Sequence, residues 1–86
     1  MKIWFRLSRD SRTIKEITVE NNEDISRTAK VFASLEKACH DLDLAVPVWL
    51  DPTINEFKYR ARARFPRDSF HEEVDFDYME IRVLEE

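Results

Sequence analysis

Hydrophobic and polar positions alternate along residues 2 to 8, with Ile3, Phe5 and Leu7 on one side and Lys2, Trp4, Arg6 and Ser8 on the other. A period of two predicts a strand with one buried face. Residues 14 to 20 are rich in Ile, Thr and Val, with Ile17 and Val19 in phase, a composition that suits a pleated surface. Arg9-Asp10-Ser11-Arg12 between the two runs is turn chemistry, so the pair reads as an antiparallel hairpin. From Ile25 the period lengthens, and Ile25, Thr28, Ala29, Phe32, Leu35, Cys39 and Leu42 recur at three- and four-residue steps. That spacing predicts an amphipathic helix over about 24–42. Asn22 or Asp24 is placed to cap its first amides, and its stripe is expected on the Ile3, Phe5, Leu7 face.

Ala45 to Leu50 is a short apolar segment, read as a brief strand or an extended buried connection, and Pro47 argues against a central place in a sheet. Asp51-Pro52 opens a helix by an N-cap carboxylate and a proline at the first helical position, after which Ile54, Phe57 and Ala61 share a face. A rival reading makes Phe57, Tyr59, Ala61, Ala63 and Phe65 one face of a strand, alternating with Lys58, Arg60, Arg62 and Arg64. Both satisfy local physics; we adopt a short helix over about 51–60 with residues 61–65 extended. Near the end, Met79, Ile81 and Val83 alternate with Glu80 and Arg82, while Val74, Phe76 and Tyr78 are apolar on the opposite parity. The slip predicts a bulge or bend between Tyr78 and Met79. Residues 1–86 therefore read as a single α+β domain, a small, mainly antiparallel sheet of three to four strands with the long helix across one face, together with the short second helix.

Composition narrows the function classes. The 86 residues, 43% of them hydrophobic, suffice for one packed core. No apolar run reaches the ~18–20 residues of a membrane span, and Met1 to Arg6 lacks the apolar core of a signal peptide, so a cytoplasmic protein without membrane attachment is expected. Cys39 is the single cysteine, which excludes an intrachain disulfide and a cysteine metal cluster and suits a small core residue. There is no glycine. That excludes the P-loop, the dinucleotide fingerprint and the nucleophile elbow, and leaves positive-φ turns to Asp10-Ser11 and Asn21-Asn22. The net charge of −4 opposes bulk affinity for nucleic acid.

The charges are segregated. Lys58, Arg60, Arg62, Arg64 and Arg67 run without an acid between them, and Asp68 to Glu86 carries eight carboxylates against Arg82. One account is internal. If residues 57 to 65 are a strand and 66 to 71 the turn, Arg64 falls opposite Glu73, Arg62 opposite Asp75 and Arg60 opposite Asp77, each pair stabilising by about 0.2–1 kcal/mol. The other account is a docking surface. Trp4, Trp49, Tyr59, Arg60, Arg62 and Arg64 are then anchors for a protein partner, or for a second copy through an exposed strand edge. The alternative is single-stranded nucleic acid on the Lys58–Arg67 stripe, with aromatic rings stacking bases.

Trp4 lies on the polar side of its strand, where Trp49 or the 51–60 segment would cover it, or else it is an exposed contact. His71, Glu73, Asp75 and Asp77 share a parity, but alternate side chains on a strand stand almost 7 Å apart, so the row reads as a solvated face rather than a cation site. His40 and the serines lack a nucleophile context. The expectation is a small non-enzymatic protein-binding or regulatory module with no cofactor, no metal and no catalytic residue.

Met-Lys-Ile-Trp-Phe-Arg-Leu at the start, Trp49-Leu50-Asp51, Glu56-Phe57-Lys58, Arg64-Phe65 followed by Asp68-Ser69-Phe70, and Val74 through Glu86 together resemble a family of small uncharacterised bacterial proteins. The resemblance spans nearly the whole chain and implies a stand-alone cytosolic protein. It brings no activity, ligand or site residue with it.

Overall fold

The chain runs β1 (Lys2–Arg9), β2 (Arg12–Glu20), α1 (Arg27–Asp41), α2 (Asp51–Arg60), β3 (Arg62–Pro66), a single 3-10 turn (Arg67–Ser69) and β4 (Tyr78–Glu85). The computed structural model describes all 86 residues. The strands form one antiparallel sheet in the order β2-β1-β4-β3, the small α+β architecture expected, with α1 across one face as predicted; α2 packs on that same side. No helix is long and apolar enough to cross a membrane.

The β1–β2 hairpin closes on Asp10 and Ser11, at φ 53° and 63°. Two consecutive left-handed residues match the right-handed twist of the flanking strands, and here a glycine-free chain builds the turn with Asp-Ser. Asn21-Asn22 does not turn this way. Asn21 instead exchanges backbone hydrogen bonds with Met1, its amide donating to the Met1 carbonyl at 2.8 Å and its carbonyl accepting from the Met1 amine at 3.0 Å.

α1 begins at Arg27, not near 24, and its cap is Ser26, whose Oγ accepts from the Ala29 amide at 3.1 Å, rather than Asn22 or Asp24. The buried face is also rotated from the expected stripe, to Val31, Ser34, Leu35, Ala38 and Cys39, leaving Phe32 53% exposed. The small side chains of Ser34 and Ala38 let the helix approach the sheet closely, and Phe32 turns sideways against Trp49.

Residues 45–50 form no strand; the Val48 amide donates to the Ser69 carbonyl at 2.7 Å and Pro47 is buried, so this is the extended connection. The second helix and the extended segment after it lie where expected, with the cap one residue earlier. Leu50 is the N-cap, Asp51 begins the helix, and no side chain caps it. Thr53 Oγ1 donates to the Arg64 carbonyl at 2.8 Å, fastening α2 to β3. Ala61 ends α2 in the left-handed conformation, φ 54°, where glycine is the usual occupant.

The Arg64–Glu73, Arg62–Asp75 and Arg60–Asp77 register does not form. β3 pairs with β4 so that Ala63 meets Ile81 and Phe65 meets Met79, all four essentially inaccessible. Burying Phe65, Met79 and Ile81 gains about 1.5–3 kcal/mol each, which outweighs cross-strand charge pairs of about 0.2–1 kcal/mol. Residues 70 to 77 are a loop. The parity slip at Tyr78 and Met79 is therefore the start of β4, not a bulge; the irregularities lie between Leu7 and Ser8 against β2 and between Lys2 and Ile3 against β4.

Candidate functional site

The core side of the sheet carries Ile3, Phe5, Leu7, Ala63, Phe65, Met79 and Ile81. The alternate residues face the other way, where α2 reaches only the β3 edge with Glu56 and Arg60, and they form two rows across the strands. Trp4 stands opposite Arg82, and Arg82 opposite Arg62; Arg6 stands opposite Glu80, and Glu80 opposite Arg64. Four arginines thus surround one carboxylate.

Glu80 is the hub. Its Oε1 accepts from Arg6 Nη2 at 2.6 Å and its Oε2 from Arg82 Nη2 at 3.0 Å, and the side chain is 8% exposed. Charge-assisted bonds in so sheltered a setting are stronger than exposed ones. Arg6 and Arg82 also flank the indole of Trp4, their guanidinium carbons 5.1 and 5.5 Å from its ring centre. Arg64 lies over Tyr78 at 4.4 Å. These cation–π contacts hold long side chains in place on an open surface.

The ledger of charge does not close. Arg60, Arg62 and Arg64 make no ion pair or side-chain hydrogen bond, and the Nε atoms of Arg6 and Arg82 are buried without an acceptor. A recess of about 300 Å³ opens among five arginines, at positions 6, 60, 62, 64 and 82, with Glu56 and Glu80 as its acids. Its local charge is positive on a chain whose net charge is −4.

The residues singled out from sequence divide among three places. Trp4, Arg60, Arg62 and Arg64 come together at this face. Trp49 lies on the opposite side of the sheet, edge-on to Phe32, Phe57 and Phe65 at 6.2, 5.5 and 4.7 Å, and so neither it nor α2 covers Trp4. Tyr59 projects from α2, 80% exposed, with Lys58 Nζ 5.9 Å from its ring. Arg6, Glu80 and Arg82 were not singled out, because β1 and β4 are distant in sequence. The signal was present in the polar residues that alternate with the buried ones on those two strands.

The acids of the 71–77 loop serve elsewhere. Asp75 Oδ2 accepts from Arg9 Nη1 at 3.4 Å, Asp77 accepts from Arg67 Nη2 at 3.2 Å and from the Asp10 amide at 2.9 Å, and Glu72 accepts from the Ala45 amide at 2.9 Å. Of the basic run only Arg67 is neutralised by this loop. No group of three or more metal-ligating side chains is assembled. Cys39 is buried, and desolvation pushes its thiol up to about 11, with the Glu72 charge adding to the shift.

β2 is the longer free edge of the sheet. It carries Arg12, Lys15, Glu16 and Glu20, and charges on an edge discourage strand-to-strand pairing. Comparison of the chain with protein-family models, with curated proteins and with solved structures finds no match.

Proposed function

We propose that this is a small, non-enzymatic, cytoplasmic binding module whose open sheet face takes an acidic segment of a protein partner. The observation that carries the reading is the direct juxtaposition of Arg62 and Arg82 beside unpaired Arg60 and Arg64. Like charges directly opposite each other oppose folding, and a ligand carboxylate between them removes that cost. Arginine presents a planar fork of donors that suits carboxylates. It does not exchange protons at neutral pH, so the cluster suits binding rather than proton transfer. Trp4, against the guanidinium groups of Arg6 and Arg82, supplies the aromatic anchor typical of binding hot spots.

Single-stranded nucleic acid is the second reading, supported by the same unpaired arginines and by exposed Tyr59. The acidic protein is favoured because guanidinium groups already occupy the rings of Trp4 and Tyr78, where bases would have to stack.

The test is recovery of partners from lysate by the tagged protein and by an Arg62→Glu/Arg64→Glu variant, with and without nuclease. A nuclease-resistant protein retained by the native chain and lost by the variant supports the reading. Nuclease-sensitive recovery with a steep salt dependence transfers the face to nucleic acid.

A further inference from the structure

A second surface lies on the helical side of the sheet, independent of the arginine face. Between α1 and α2 runs an apolar groove of about 380 Å³, walled by Val31, Phe32, Trp49, Ile54 and Phe57. That is within the range of small-ligand sites, about 300–1,000 Å³. Phe32 and Ile54 are 53% and 43% exposed along it, while the edge-to-face contacts of Trp49 with Phe32, Phe57 and Phe65 make its floor rigid. The charged side chains at its rim are Arg27 and Lys58, and no acid lines it.

Arg27 already shows what it recognises. Its Nε and Nη2 donate to the two oxygens of Glu86 at 2.7 and 3.1 Å, the bidentate arrangement specific to a carboxylate. The same guanidinium stands 5.8 Å from the Phe57 ring, in the groove wall. The bond holds Glu86 below the usual carboxylate range and raises Arg27. Yet the two side chains are 50% and 61% exposed, so Glu86 can be exchanged for another carboxylate without opening the core.

We propose that the α1–α2 groove binds a compact amphipathic carboxylate, its apolar body against Phe32, Trp49 and Phe57 and its head on Arg27, in competition with Glu86. An acyl or aryl-alkyl acid has the required combination of one anionic end and an apolar volume suited to the groove. The intramolecular carboxylate makes the site self-screened: affinity is set by the difference between two bonds to the same arginine.

The experiment is a titration of the full chain with decanoate below its micelle concentration, followed by amide and indole NMR shifts, with decyltrimethylammonium as the control of opposite charge. Saturable shifts of the Trp49 indole and of the Thr28 and Phe32 amides are expected, with none from the cationic control. Arg27→Gln should weaken binding at least tenfold and Glu86→Gln should tighten it severalfold, both with the native spectrum otherwise preserved. Phe32→Ser, at an exposed position, should abolish binding in a folded chain. The proposal is overturned by the absence of saturation, by equal binding of the cationic control, or by an affinity indifferent to Glu86→Gln. Groove shifts that follow protein concentration alone also overturn it, and assign the groove to a second copy of the chain.

Discussion

Arg62 on β3 stands directly across from Arg82 on β4 on the uncovered face of the sheet, and of the two only Arg82 has a carboxylate partner. Replacing Arg62 by Glu therefore creates a cross-strand pair of opposite sign, and thermal unfolding should show a gain of about 0.2–1 kcal/mol. The Arg62–Asp75 pairing considered from sequence requires the opposite sign, a loss. Retention of an acidic partner should fall in the same variant, so that stability and binding move in opposite directions.

Glu80 is the counterweight to this face. Glu80→Gln keeps the shape but removes the charge that two guanidinium groups share in a sheltered position. A loss of about 1–3 kcal/mol in denaturant unfolding is expected, tempered because Arg6 and Arg82 keep 28% and 41% of their side chains exposed. An unchanged midpoint would remove Glu80 as the organiser of the cluster.

Ala61 caps α2 with a Cβ in the left-handed region. That conformation costs a non-glycine residue about 1–2 kcal/mol, and glycine gives part of it back as greater freedom of the unfolded chain. Ala61→Gly should raise stability by about 0.5–1 kcal/mol, read as a higher melting midpoint with unchanged native spectrum.

Cys39 is 1% exposed and its thiol is pushed up to about 11, whereas an unfolded thiol titrates near about 8.5. The folded value is the higher one, so the native state holds the proton longer. This contribution is fully present below about pH 8.5 and disappears as pH rises through about 11. Stability measured from pH 8 to 11 should therefore fall more steeply in the native chain than in Cys39→Ala, by on the order of 3 kcal/mol across the window. Thiol reagents at pH 8 should react with the unfolded chain and leave the folded one largely unlabelled.

The elements were legible where one physical signal acted alone. The alternation of Lys2 to Ser8 and of Met79 to Val83 gave both central strands, and Asp51-Pro52 gave α2. Charge alone misleads on the register: Arg62 matches Asp75 in sign if 57–65 is a strand, but Met79 and Ile81 offer β3 a larger apolar partner. α1 lies within the expected span, but its buried face is rotated, because hydrophobicity alone puts Phe32 in the core whereas Ser34 and Ala38 face the sheet. For the site, Arg60, Arg62 and Arg64 were visible as a run. Arg6, Glu80 and Arg82 join them only through pairing of β1 with β4, which no local period encodes.

That central pairing has a kinetic side. The two inner strands, β1 and β4, come from opposite ends of the described chain, with Lys2 bonded across to Glu85. During synthesis β1 and β2 can meet early, but the inner edge of β1 stays vacant until residues 78 to 85 emerge, and β3 waits for the same residues. Assembly thus waits on residues 78 to 85, and sequence-distant pairing of this kind is slow. The nascent protein has a half-sheet with a ready acceptor edge, and the strand that completes the sheet also delivers Glu80 and Arg82: the arginine face cannot exist before the fold is closed.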